Sequence, residues 1–241
     1  MNIWTTAWGS DHPIAQLEGQ PFGEGILEIM LGPKNRVGAH YFQITLRDRT
    51  GSASQPILLA LHHTGPYPSY NWIEVIRLTR NISFSKREVA LSEPDLERLL
   101  RYLADLIPPG GHIMVEYESE EWAETRLAIE CDIPPVATHL GSMLFRAGCG
   151  VAFKDWHFAE GGSEGPRKLQ GYKPLDEEHR HARAGEMTAE LRSFLRRQTP
   201  TSCHQLWQTA RNRAIQILSL LSTDDPFSAA GVGKVKKITQ R

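Results

Sequence analysis

The sequence predicts an α+β fold: a mixed, mainly antiparallel sheet flanked by helices, followed by a C-terminal helical hairpin. Short strand-like runs divided by turn residues fill the front of the chain. At Ser92 the apolar period changes from two to about 3.6. Two further helical stripes lie beyond residue 175. With 40 % apolar and 23 % charged residues over 241 positions, the chain has the balance of a globular protein, not of a disordered or collagenous one. Lys and Arg number 27 against 28 Asp and Glu, so no global field exists to hold nucleic acid or an anionic membrane.

Ile26–Leu31 reads as a strand ended by Gly32-Pro33-Lys34-Asn35. His40–Leu46 alternates Tyr41, Gln43 and Thr45 against Phe42, Ile44 and Leu46 and is a second strand. Ile57–Leu61, apolar on both faces, is a third, and Trp72–Leu78 a fourth. Short turns between the first three imply an antiparallel meander. Ser92-Glu93-Pro94-Asp95 is a helix start, and Leu96, Leu99, Leu100, Leu103 and Leu106 give that helix one apolar face. Pro108-Pro109-Gly110-Gly111 stops it, and His112–Glu118 returns as a strand, by a crossover, parallel to an earlier neighbour. This strand is expected in the sheet interior, beside a last strand, Val151–Phe158. Helical stretches at about 120–130 and 136–147 lie between, the second ended by Gly148.

Residues 1–174 are expected to form the α/β domain, 175–222 a hairpin packed on it or on a second subunit, and 223–241 a flexible tail. In the hairpin, Met187, Leu191, Phe194 and Leu195 share one face. Leu206, Ala210, Ala214, Ile217 and Leu221 share another, widened by Trp207 and Leu218, with Ser202 and Gln205 as a capping box. A homodimer through these helices is the alternative use of the apolar stripe. Cys131, Cys149 and Cys203 are odd in number and far apart, which predicts buried reduced thiols rather than a disulfide framework or zinc knot. Together with the absence of a signal peptide and of any apolar run near the roughly 18–20 residues of a membrane span, this predicts a cytoplasmic protein.

Candidate site residues cluster at two strand ends and one loop. Glu116 and Glu118 share a face near the C-terminal end of strand 112–118, where α/β sheets tend to place ligands. Glu116, the deeper of the two, is the candidate general base, and a solvated strand end is the alternative. Asp155 and His157 share a face of the last strand and would approach Glu116 if the two strands were neighbours. His62 and His63 lead into an aromatic, Pro-rich loop that could line a ligand site. Loop 159–174 carries Gly161, Gly162 and Gly165, whose amides can converge on an anion, with Arg167, Lys168 and Lys173 as positive charge. It predicts a small anionic ligand, although neither a Walker loop nor G-x-G-x-x-G occurs. A solvated connector is the alternative.

The runs Ile107–Glu118, Leu144–Cys149 and Phe153–Phe158, with Glu160-Gly161-Gly162 and Leu169–Pro174, resemble a prokaryotic, mainly archaeal family of unknown function over about residues 90–175. The order of elements is similar to the GNAT acyltransferase fold, and Leu144-Phe145-Arg146-Ala147-Gly148-Cys149 resembles the Leu-Tyr-x-x-Gly-Phe helix ending of those enzymes. That resemblance implies N-acyl transfer from a coenzyme A thioester to a small molecule; Glu116, Asp155 and His157, read from their strand faces, are the catalytic candidates. GNAT enzymes hold the coenzyme A diphosphate on an Arg/Gln-x-x-Gly-x-Gly/Ala turn between the fourth strand and the next helix. Here Thr79–Arg87 contains no glycine. Pro108-Pro109-Gly110-Gly111-His112 is also similar to a segment of S-adenosylmethionine-dependent methyltransferases. A non-catalytic ligand- or partner-binding protein on a transferase-like scaffold is the remaining reading.

Overall fold

A computed structural model of the chain describes residues 19–22, 25–31, 39–47, 57–62, 72–78, 81–84, 87–90, 93–117, 120–154, 168–224 and 227. Its strands are β1 (Pro21–Phe22), β2 (Gly25–Leu31), β3 (Ala39–Arg47), β4 (Ile57–His62), β5 (Trp72–Leu78), β6 (Asn81–Phe84), β7 (Arg87–Ala90), β8 (His112–Tyr117), β9 (Gly150–Lys154) and β10 (Lys168–Tyr172). The helices are α1 (Glu93–Leu106), α2 (Glu120–Glu130), α3 (His139–Arg146), α4 (Glu177–Arg196) and α5 (His204–Leu221). The protein is α+β.

One eight-stranded sheet runs in the order β1-β2-β3-β4-β5-β8-β10-β9, while β6 and β7 pair as a separate hairpin. Every described pair is antiparallel except β5 with β8. That exception follows from α1, because only a crossover of that length can bring a strand back in the same direction. The register slips between Val75↔Val115 and Leu78↔Tyr117, so Ile76 and Arg77 stand opposite the single residue Glu116.

Strand β8 is interior, as its alternation predicts, and Ile113 and Val115 are buried. Its neighbours differ from the expectation. Leu169 pairs with Val115 on one side and Phe153 on the other, so β10 is inserted between β8 and β9, and β9 is the sheet edge. The stretch expected as one irregular loop, 159–174, therefore contains a strand. Its glycine content hid the short apolar alternation Leu169-Gln170-Gly171. Gly171 is there for packing, since a Cβ would lie 3.1 Å from both Cys149 Cβ and Leu144 Cδ2.

Leu96, Leu99, Leu100 and Leu103 of α1 form one core with Ile113, Val115, Leu169 and Val151 of the sheet, Leu140, Leu144 and Phe145 of α3, and the two C-terminal helices. Thr138 caps α3 by accepting the Gly141 N–H at 3.0 Å, and Gly148, at φ +90°, ends the turn that follows, as its residue type predicts. Arg146, in the last turn of α3, pairs with Glu93 and Glu97 at the start of α1.

The hairpin docks on this core. Ala184, Met187, Leu191 and Phe194 of α4 and Trp207, Ala210, Ala214, Ile217 and Leu221 of α5 are buried, with the Phe194 and Trp207 rings 4.6 Å apart. The stripe of α5 is centred on Trp207 rather than Leu206, which is half-buried. The expected Ser202–Gln205 capping box does not form. Thr201–Cys203 is a 3₁₀ turn and Cys203 is the residue before α5, without a side-chain cap. Phe227, in the stretch expected to be loose, is buried with its ring 5.7 Å from Phe145.

Cys131 and Cys203 form a disulfide, contrary to the expectation of three reduced thiols. They are 72 positions apart, and spacing along a chain says nothing of which helix ends will meet. Only Cys149 is free, and it is buried. A bridge of this kind belongs to oxidising surroundings in most proteins, so the cysteines lend no support to a reducing compartment. Among the described residues no helix is long and apolar enough to cross a membrane.

Candidate functional site

A cleft of about 590 Å3, within the usual range for small-molecule sites, opens between α4, the edge strand β9 and the segment after α2. The wall comes from Ile133, Pro134 and Pro135, and its position is fixed by how α2 ends. The Ile133 N–H donates to Ala128 O at 2.8 Å and the Asp132 N–H to Ile129 O at 3.2 Å, which satisfies the last carbonyls of the helix. Asp132 closes this turn at φ +53°, a left-handed conformation that Asp tolerates better than most residues. The chain then passes into Pro134-Pro135, which cannot continue a helix. Ala152 and Phe153 of β9 form the floor.

The opposite wall is charged. Arg183, Glu186 and Glu190 repeat at helical spacing along α4, beside its buried stripe, and Arg197 follows at the helix end. Arg183 Nη1 donates to Glu186 Oε2 at 2.7 Å, its Nη2 donates to the Val151 carbonyl, and its guanidinium lies 5.1 Å from the Tyr172 ring centre. Arg197 Nη1 is 3.5 Å from Asp132 Oδ2, and its guanidinium sits over the Phe194 and Trp207 rings. Burial pushes the Glu190 carboxyl above the ordinary carboxylate range, against the pull of Arg183 and Arg197.

A second, smaller cleft of about 290 Å3 lies on the other side of Arg183, between Tyr172, Pro174 and His179. Lys173, expected to help bind an anion, lines it but donates from Nζ to Ile107 O at 2.9 Å, at the C-terminal end of α1. Its backbone also pairs with Gly110 and Gly111. Burial raises the Tyr172 hydroxyl above its ordinary value, while Arg183 lowers it.

The predicted site residues are placed only in part. Glu116 lies in β8, at the register slip beside β5. Lys168 is the first residue of β10, paired with Lys154, rather than part of an irregular anion loop. In a strand its Cα stands roughly 16 Å from that of Lys173, so the two residues do not belong to one turn. Asp155, His157, Gly161, Gly162, Gly165 and Arg167 lie outside the described residues, as do Glu118, His63 and the loop after it. The expected approach of Asp155 and His157 to Glu116 rested on neighbouring strands, and β10 separates those strands by two sheet spacings, roughly 9.6 Å. Among the described residues no group of three or more His, Cys, Asp or Glu could hold a metal ion.

Sequence reasoning missed the charged wall of the cleft. The signal was present, as a polar i, i+3, i+7 stripe next to an apolar one, but most solvated helices show the same pattern.

A family model described as a protein of unknown function, DUF1122, matches residues 34–198, a span that includes β8 and every residue lining the larger cleft. The chain belongs to the DUF1122 family. Among solved structures, it is similar to a protein of unknown function, AQ1966 from Aquifex aeolicus VF5, with 21 % identity and a TM-score of 0.56. The match covers 85 % of this chain and 95 % of that one, and it concerns the fold alone. No curated protein matches the chain.

Proposed function

We propose that this member of the DUF1122 family is a small-molecule-binding protein on a GNAT-like scaffold, with the cleft beside α4 as its ligand site. The scaffold reading is supported by the order of elements: an antiparallel meander, then α1, then β8 parallel to β5, with β10 inserted before the edge strand. The observation that carries the functional reading is the junction between β5 and α1. In GNAT enzymes this junction holds the coenzyme A diphosphate on a glycine-rich turn. Here it is the β6–β7 hairpin, with no glycine from Thr79 to Arg87. Helix α1 then opens on the acidic residues Glu93 and Asp95, and Arg146, the cation beside them, is already paired with Glu93 and Glu97. The residues present do not fit that cofactor.

Acyl transfer is the second reading, favoured by the register slip in β5 opposite Glu116. Such irregularities occur often beside active sites, and this one lies at the one described parallel pair. Titration calorimetry with coenzyme A, acetyl-CoA and S-adenosylmethionine separates the readings. The expected result is no saturable binding of any of them below millimolar concentration. Micromolar binding of acetyl-CoA, with thiol release on adding an amine and loss of release in Glu116→Gln, would replace the binding reading with the acyltransferase one.

A further inference from the structure

Among the described residues, five charged side chains line the larger cleft, and they do not balance. Asp132, Glu186 and Glu190 are acidic; Arg183 and Arg197 are basic. Arg183 is taken by Glu186 and by the Val151 carbonyl, and Arg197 is shared with Asp132. Glu190 lines the same cleft, half-buried, and among the described residues it makes no hydrogen bond and no ion pair within 4 Å. The charged groups facing it are Arg183 and Glu186 of its own helix and Arg197 just past the helix end. Across the cleft, among the described residues, Asp132 is the one charged residue lining it, beside the apolar Ile133, Pro134, Pro135 and Phe153.

A half-buried carboxylate opposite an apolar wall is short of water, and Arg183 and Arg197 act on it only from beyond ion-pair distance, an arrangement that a bound cation relieves. A neutral ligand would leave Glu190 unpaired, and an anion would add to the existing excess of negative charge. We propose that this cleft binds a small monocation with an apolar body, its charge on Glu190 and its body along Ile133, Pro134, Pro135 and Phe153. The inference rests on the ligand-binding reading above and names the class of ligand.

The test uses the full chain and three probes of equal length: hexylammonium, hexan-1-ol and hexanoate, titrated calorimetrically at pH 8. Hexylammonium binds at least tenfold more tightly than either of the others. Glu190→Gln brings it down to the level of the alcohol and leaves the alcohol unchanged. In the wild-type protein the affinity for hexylammonium rises with pH as Glu190 ionises above the ordinary glutamate value, while that for hexanol stays flat. This profile decides the matter even where Glu190→Gln does not fold. Equal or tighter binding of hexanoate, full affinity in Glu190→Gln, a flat pH profile, or no binding of any probe would each overturn the proposal. Micromolar binding of acetyl-CoA would instead overturn the functional reading, so the two failures are distinguishable.

Discussion

Arg213 on α5 donates a hydrogen bond from Nη1 to Glu124 Oε1 on α2 at 2.8 Å, across 89 positions of sequence. The same carboxylate oxygen accepts the His139 N–H at 3.1 Å, and Arg213 Nη2 lies 3.2 Å from His139 Nδ1. Arginine can only donate, so Nδ1 accepts and the ring proton sits on Nε2. One guanidinium thus ties the C-terminal hairpin to α2 and α3 at once. The apolar stripe of α5 supplies the adhesion, and Arg213 sets the register in which it docks.

Arg213→Ala takes the guanidinium away from a carboxylate and an imidazole that are both largely shielded from water. Charged hydrogen bonds of this kind are worth about 1.5–3 kcal/mol each, and partial exposure of the pair reduces that. We expect a loss of about 1–3 kcal/mol in chemical denaturation, with Arg213→Lys, which keeps one contact, losing less. A change under about 0.5 kcal/mol, the scale of an ordinary surface substitution, would show that the apolar stripe alone fixes the hairpin.

The first turn of α4 gives a pH signature. Asp176 Oδ1 accepts the His179 N–H at 2.9 Å and lies 2.7 Å from His179 Nδ1. The backbone hydrogen bond, followed by that of the ring, holds the Asp176 carboxyl below its ordinary value of 3.8. The side-chain hydrogen bond to Asp176 raises His179 above 6.5. The contribution of Asp176 is therefore present above pH 3.8 and lost as pH falls through its lowered folded value. That of His179 is complete below pH 6.5 and lost as pH rises through its raised folded value. Both groups are exposed, so the effect is best read by NMR. The His179 midpoint should lie above 6.5 and move back towards it in Asp176→Asn. Identical midpoints in the two proteins would mean that the pair does not form in solution.

Much of this fold is legible from local pattern. Alternation marks β3 and β8, apolar runs bounded by turn residues mark β2, β4 and β5, and the leucine stripe with Pro108-Pro109-Gly110-Gly111 delimits α1. What escapes is decided by contacts between distant parts. Strand β10 is five residues among glycines, and its place between β8 and β9 depends on Gly171 lying close under Cys149 and Leu144. The β6–β7 hairpin has no glycine turn to announce it. The cleft is harder still to read, because its acidic excess appears only when Arg183 is paired with Glu186 and Arg197 with Asp132. Those partners are assigned by three-dimensional distance, and the Asp132–Arg197 pair crosses from one domain segment to another.

The cysteines can be counted directly. With Cys131 and Cys203 bridged and Cys149 buried, the native oxidised protein should show no thiol reactive towards a disulfide reagent at pH 8. Burial pushes the Cys149 thiol up to about 12, so even an approaching reagent would meet an unreactive protonated sulfur. Unfolding without reductant should release one thiol, and unfolding with reductant three. Reducing the bridge frees the tie between the turn after α2 and the turn before α5, at a cost of roughly 2–4 kcal/mol of stability. Three reactive thiols on unfolding without reductant would mean that the bridge is not present in solution.

Two glycines in helices should respond in opposite directions to the same substitution. Gly141 lies in the first turn of α3, folded back against the 3₁₀ turn Pro135–Ala137. A Cβ there would fall 1.8 Å from the Pro135 carbonyl oxygen and 2.7 Å from Thr138 Oγ1. Both atoms belong to the cap that starts α3, and Pro135 also lines the cleft, so neither can move without disturbing both. Gly141→Ala should therefore cost more than about 2 kcal/mol, at the upper end of overpacking effects, and should weaken ligand binding in the cleft. Gly185, on α4, has nothing within 4 Å of the same added atom. Alanine at that position reduces the freedom of the unfolded chain and favours the helix, so Gly185→Ala should gain about 0.4–1 kcal/mol. Thermal denaturation of the two variants beside the parent reads both signs in one experiment. A stable Gly141→Ala protein would mean that α3 does not pack this closely on the Pro134-Pro135 wall, and the shape assigned to the cleft would have to change with it.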